Sequence, residues 1–152
     1  MKRIFRAYGV LYTAGDTVGL TDKTITEEAM KKIVVNSPLK IPVVNDLGKV
    51  YSDPECTIGM GTILYQPGTD VLPARLTAMV EFNGLHRKEY ETLLNNGKER
   101  KKLRFGFMIG KVNHAGTNIT DGVINAISLN DNGLGGEVIS YGWDTEDEGR
   151  GG

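Results

Sequence analysis

Cysteine is almost missing from this chain: Cys56 is the only one in 152 residues. A single cysteine cannot close an intramolecular disulfide, so nothing indicates an oxidising compartment. Histidine is nearly as scarce, with only His86 and His114. Together with Cys56 they match no metal-ligand spacing, and no metal or other cofactor is expected. A basic excess is also lacking. The formal net charge is -1, which argues against direct nucleic-acid binding. No stretch approaches the ~20 apolar residues of a membrane span, so no membrane partner is expected. The start, MKRIFRAYGVLYTAG, is basic, but Arg6 and Gly9 interrupt any apolar run. It reads as a first strand and not as a signal peptide, which places synthesis and use in a cytoplasm.

What is present is an ordinary globular composition, 39% hydrophobic and 24% charged, at a length suited to one compact domain. Its 20 glycines are roughly twice the average share and favour a turn-rich β architecture. Ile4 to Thr13 reads as a strand ending at the turn Ala14-Gly15-Asp16. Thr24 to Asn36 reads as a helix. Thr24-Ile25-Thr26-Glu27 forms a capping box at its start, Met30, Ile33 and Val34 a helix-spaced stripe, and Pro38 its end. Leu39 to Val44 is a short apolar strand, and Asn45 to Cys56 a polar loop. Thr57 to Tyr65 and Ala74 to Phe82 are strands joined by Gln66-Pro67-Gly68-Thr69-Asp70, a strong turn signal. In the second, Leu76, Ala78, Val80 and Phe82 face one way, with Arg75, Thr77 and Glu81 opposite. His86 to Asn96 is a second helix that buries Tyr90, Leu93 and Leu94, with Gly97 as its C′ residue. Gly122 to Leu129 and Glu137 to Trp143 are further strands, separated by the turn cluster Asn130-Asp131-Asn132-Gly133.

The fold class expected from this order is α+β: a strongly curved antiparallel sheet or small barrel of about seven strands with two flanking helices. One domain spans residues 1–143. The acidic, glycine-rich tail, 144–152, is expected to be disordered.

Few residues invite chemistry. His86 begins a helix beside Arg87 and Lys88 and reads as a solvated residue. His114 falls in a loop. Cys56 as a nucleophile needs a histidine brought near by the fold. Gly59-Met60-Gly61 matches no phosphate-loop pattern, and its glycines read as places of close backbone approach in a bent strand. The run from Lys98 to Arg104 carries five positive charges and one negative. It is either a solvated loop or a contact for an acidic partner through Lys98, Arg100, Lys101 and Lys102, with the acidic tail as one source of opposite charge.

The stretch KKLRFGFMIG, residues 101–110, alternates cleanly. Leu103, Phe105, Phe107 and Ile109 form an apolar face. Arg104, Gly106, Met108 and Gly110 leave space on the other, with an arginine at its head.

The order of pieces resembles a known family. A strand ends in a Gly-Asp turn, and a helix opens with Thr26-x-x-Ala29. Then come Ile41-Pro42-Val43, a polar loop, Ile58-Gly59, the helix Glu89-Tyr90-Glu91-Thr92-Leu93-Leu94, and a strand with Phe105-Gly106-Phe107. This is similar to the prohead maturation proteases of tailed bacteriophages, relatives in fold of the herpesvirus assemblins, from about Tyr8 to Leu129. The resemblance implies a nucleophilic serine in a Ser-Ile-Gly-Phe-like strand and a histidine a few residues after Ile-Pro-Val. Carried over, the serine position is Arg104, with Gly106 and Phe107 matching, and the histidine position falls near Asn45 or Asp46. A serine hydroxyl is a weak nucleophile without a base. An arginine stays protonated and cannot replace it, although it can make a rigid contact with a carboxylate, for which Asp46 is the natural partner.

The resemblance therefore implies a relict cleft with Arg104, Asp46, Asn45 and Gly106 as a docking site, in a non-catalytic phage head protein, a capsid decoration or auxiliary protein. Its partner would be the major capsid protein or another head protein, with a homo-oligomer also open. It would be made in the host bacterial cytoplasm and reside in the virion. Two alternatives stay open. One is an active prohead maturation serine protease using Ser37, Ser52, Ser128 or Ser140 with His86 or His114. The other is a small binding module unrelated to phage.

Overall fold

The structure is a computed structural model and describes residues 2–49, 56–131 and 135–146. Its elements are β1 (Lys2–Thr13), β2 (Thr24–Ile25), α1 (Glu27–Asn36), β3 (Ile41–Val44), a 3-10 turn (Leu47–Lys49), β4 (Thr57–Gln66), β5 (Arg75–Phe82), α2 (Arg87–Asn95), α3 (Gly97–Lys102), β6 (Arg104–Ala115), β7 (Asn118–Asn130) and β8 (Gly136–Glu146).

The fold is α+β. The strands run β2-β7-β3-β4-β5-β1-β8-β6, and β6 also pairs with β7, so seven of them close a ring of hydrogen bonds and β2 adds to one end of β7. All pairings around the ring are antiparallel except β3–β7. Bulges bend it: Leu11 is the extra residue of β1 against β5, Ile139 that of β8 against β1, and Asn125 that of β7 against β6. An extra residue on one strand raises the local twist and lets a short sheet close. The closing seam is narrow. β6 and β8 pair only through Arg104↔Glu137 and Phe105↔Gly136.

Alternation fills the interior. Phe5 and Ala7, Leu76, Ala78, Val80 and Phe82, Phe105, and Ile127 and Leu129 are all buried in one cluster. Each large apolar side chain so buried contributes about 1.5–3 kcal/mol. α1 adds Ala29, Met30 and Ile33. α2 adds Leu94 and Tyr90, whose ring stacks on Phe82 at 5.0 Å and whose hydroxyl donates to the Leu129 carbonyl at 3.3 Å. No helix among the described residues is long and apolar enough to cross a membrane.

Several sequence expectations shift. Among the described residues there are eight strands and three α-helices. Thr24 and Ile25 join β2 because Tyr12 Oη accepts from the Ile25 amide at 2.9 Å, which holds that residue extended. The first helix therefore starts later, and Thr26 is its cap, accepting from the Ala29 amide at 3.1 Å. That bond is the physical content of the Thr-x-x-Ala entry. Gly97 is the residue after the α2 C-cap, Asn96, as expected, but the chain does not leave the helical region there. Asn96 accepts from the Lys98 and Glu99 amides and starts α3. The basic run is consequently helical and not a loop. Thr77, on the face opposite the apolar residues of its strand, is nevertheless completely buried. The tail's first residues, Asp144–Glu146, belong to β8, paired with β1. Its remainder, residues 147–152, lies outside the described residues, as do most of the polar loop (50–55) and the turn at 132–134.

Candidate functional site

Phe105 points into the core, so its neighbours Arg104 and Gly106 face outward from β6. Register then sets what stands beside them. Asn130 is opposite Arg104 and Ser128 is opposite Gly106 on β7, and Glu137 is opposite Arg104 on β8. Asp46 and Leu47 arrive from the turn after β3, a strand that pairs with β7 at Ile127 and Ser128. The Asn130 side-chain amide donates to the Asn45 carbonyl at 3.0 Å and fixes that turn against the end of β7. Across from these residues stand the end of β1 from Val10 to Thr13, the loop from Asp16 to Gly19, and Arg75. Together they enclose a cleft of about 950 Å³.

The fold thus brings Asp46, Arg104 and Gly106 to one cleft, although they come from distant parts of the chain. Asn45 lines an adjoining hollow of about 560 Å³, shared with Asp46, Asn130 and the buried Cys56. One expectation is corrected. Arg104 does not pair with Asp46: its Nη1 lies 3.4 Å from Glu137 Oε1. The β6–β8 seam places Glu137 directly beside it, whereas Asp46 Oδ1 accepts from the Gly48 amide at 2.9 Å. The Glu137 side chain is 77% exposed, so solvent screens this pair to roughly 0–1 kcal/mol.

Tyr12 anchors the opposite wall. Its hydroxyl donates to the Asp16 carbonyl and accepts from the Ile25 amide. Burial pushes its phenol above the ordinary value; the Ile25 hydrogen bond opposes this shift and the Asp16 charge adds to it. The group therefore stays neutral at physiological pH and acts as a structural pin.

Neither histidine lines the cleft. His86 precedes α2 with Nδ1 3.5 Å from Glu89 Oε2. His114 is exposed near the far end of β6, opposite Ile119. Ser37 is committed elsewhere, donating to the Ile33 carbonyl at 2.6 Å and accepting from the Ile124 amide at 2.9 Å. Ser140 is exposed on β8, and Ser52 lies outside the described residues. Ser128 is the serine in the cleft wall, and it is 4% exposed.

On α3, Lys98, Lys101 and Lys102 face solvent, with Lys102 3.6 Å from Glu99. Arg100 turns inward instead, donating to the Leu94 carbonyl at 2.8 Å and the Tyr141 hydroxyl at 3.1 Å. Of the four residues expected to form a contact surface, the three lysines are therefore the exposed ones.

Sequence reasoning did not assign Ser128, Asn130, Glu137, Arg75 or Tyr12 to the cleft. The pair Ser128 and Asn130 had a signal: two polar residues at i and i+2, alternating with the buried Ile127 and Leu129, share one face of β7. Among known proteins, no family model, no curated protein and no solved structure matches this chain.

Proposed function

We propose that this chain is a non-catalytic structural protein of a tailed-phage head, a capsid decoration or auxiliary protein on a prohead-protease-like scaffold. One observation carries the reading. Arg104, at the position where the resemblance puts the nucleophile, and Asp46, one of the two residues near the base position, line a single cleft, while Asn45, the other, lines the adjoining hollow. That the two come from distant parts of the chain and share one cleft supports the reading. A barrel with its helices packed on it is also the architecture that the resemblance implies. Arginine cannot serve as a nucleophile at neutral pH, but its guanidinium suits a carboxylate of a docked protein. Lys98, Lys101 and Lys102, on the helix leading into β6, add a cationic approach for an acidic surface of the major capsid protein. The protein would reside in the virion after synthesis in the host.

Co-sedimentation of the purified chain with empty shells of the phage's major capsid protein tests this. Saturable binding that weakens with salt is expected. No binding to expanded or unexpanded shells would overturn it. A second reading, an active serine protease, is favoured only by Ser128 in the cleft wall. Labelling of Ser128 by a fluorophosphonate probe, with cleavage of capsid or scaffold protein, would establish that reading instead.

A further inference from the structure

The barrel is apolar on part of its outside as well as inside. On β5 and its neighbours, the core side chains alternate with Thr77 and Met79. Across the register these meet Val10 and Tyr8 of β1 on one side and Leu64 and Thr62 of β4 on the other. Leu64 is 47% and Met79 37% exposed, and Ile139, at the bulge of β8, is 52% exposed. A solvated antiparallel face ordinarily carries polar residues at these positions. Thr77 faces outward yet is fully covered, and its hydroxyl has no hydrogen-bond partner.

The two ends of this stripe differ in charge. Arg75, at one end of β5, makes no ion pair among the described residues, and its Nε is enclosed without a hydrogen-bond partner. Glu81, at the other end, bonds Arg6 through Oε1 at 3.0 Å and keeps its side chain 41% exposed. The two ends are about 20 Å apart at the rise of a β-strand.

We propose that this stripe binds a second copy of this chain, the two sheets stacked face to face about a two-fold axis that lies across the strands. An axis along the strands would oppose Arg75 to Arg75 and Glu81 to Glu81. An axis across them sets each Arg75 over the partner's Glu81, with the symmetry centre at Ala78. The exposed apolar middles, Met79 and Leu64 with Tyr8, then meet over the covered Thr77. A different partner would need an acid and a base at this same spacing; a second copy supplies them by symmetry. The footprint is at most about 400 Å² per copy, half the ~800 Å² of a standard interface. The dimer is therefore expected to be weak and reversible. The inference does not rest on the phage reading, although Arg75 and Ile139 also line the cleft beside Arg104.

Sedimentation equilibrium of the purified chain from about 10 µM to about 1 mM tests it. A reversible monomer–dimer equilibrium is expected. Met79→Glu and, separately, Leu64→Asp, at positions that already contact solvent, weaken it at least tenfold. Arg75→Glu alone also weakens it, and combining Arg75→Glu with Glu81→Arg restores it. A monomer throughout this range overturns the proposal, as does a dimer indifferent to Met79→Glu. A double variant that associates no better than Arg75→Glu overturns the orientation. A chain that stays monomeric but binds another head protein through Met79 overturns the second copy as occupant.

Discussion

Gly136→Ala should open the barrel at its seam. An added Cβ at this position lies 1.8 Å from the Val10 carbonyl oxygen and 2.5 Å from its carbonyl carbon. Carbon and oxygen normally approach no closer than about 3.3 Å, so β8 must withdraw from β1 by about 1.5 Å. The obstacle is backbone, and no rotamer change relieves it. Phe105↔Gly136 is one of the two residue pairs that join β6 to β8, so the seam parts where it is narrowest. Two ladder hydrogen bonds at about 1 kcal/mol each are at stake. Phe105, fully buried, also loses part of its packing. The expected total is about 2–4 kcal/mol, which for a chain of this length lowers Tm by roughly 5–15 °C. Urea and thermal denaturation measure the loss, and native-state hydrogen exchange locates it at the amides of Phe105 and Glu137. A variant melting within about 2 °C of the parent, with unchanged exchange at Phe105, would refute the closed-seam reasoning.

Tyr12→Phe leaves the Ile25 amide and the Asp16 carbonyl without their partner. It should cost about 1–3 kcal/mol, read by urea denaturation, with faster exchange at the Ile25 amide. Burial first, then the charges of Glu89 and Asp131, raise the Tyr90 phenol from 10.0 to about 12. The folded form holds its proton more tightly than the unfolded form, so this contribution is complete below pH 10 and fades as pH rises through about 12. Up to about 3 kcal/mol should be lost across that window, and Tyr90→Phe should flatten it in denaturation measured against pH. Arg104→Ala removes only a screened ion pair. Stability should change by less than about 1 kcal/mol, while shell binding in co-sedimentation falls at least tenfold. If neither changes, Arg104 has no docking role.

Much of this fold could be read from local pattern. Leu76, Ala78, Val80 and Phe82 alternate into the core as their spacing requires, and Thr26 with Ala29 marks a helix start that the structure contains. Gly59 is also where strands crowd: a Cβ there would meet the Glu81 carbonyl oxygen at 2.1 Å. What could not be read depends on partners distant in sequence. Thr24 and Ile25 have helix-cap chemistry, yet Tyr12 and β7 hold them extended. Thr77 looks like a surface residue until Val10 and Leu64 are placed on either side of it. The cleft shows the same division. Arg104, Asp46 and Gly106 could be nominated from motif order. That Glu137, and not Asp46, meets Arg104 follows from the β6–β8 register, which no local spacing encodes.

The central claim is that the cleft at Arg104 belongs to a structural head protein. On the proposed function the chain is encoded by a tailed phage, and quantitative mass spectrometry of that phage's purified, DNA-filled heads tests the claim most directly. The account predicts the intact chain in mature particles, at a copy number in fixed proportion to the major capsid protein. Its presence in immature heads and its loss or fragmentation in mature ones would contradict the account and point to a maturation protease.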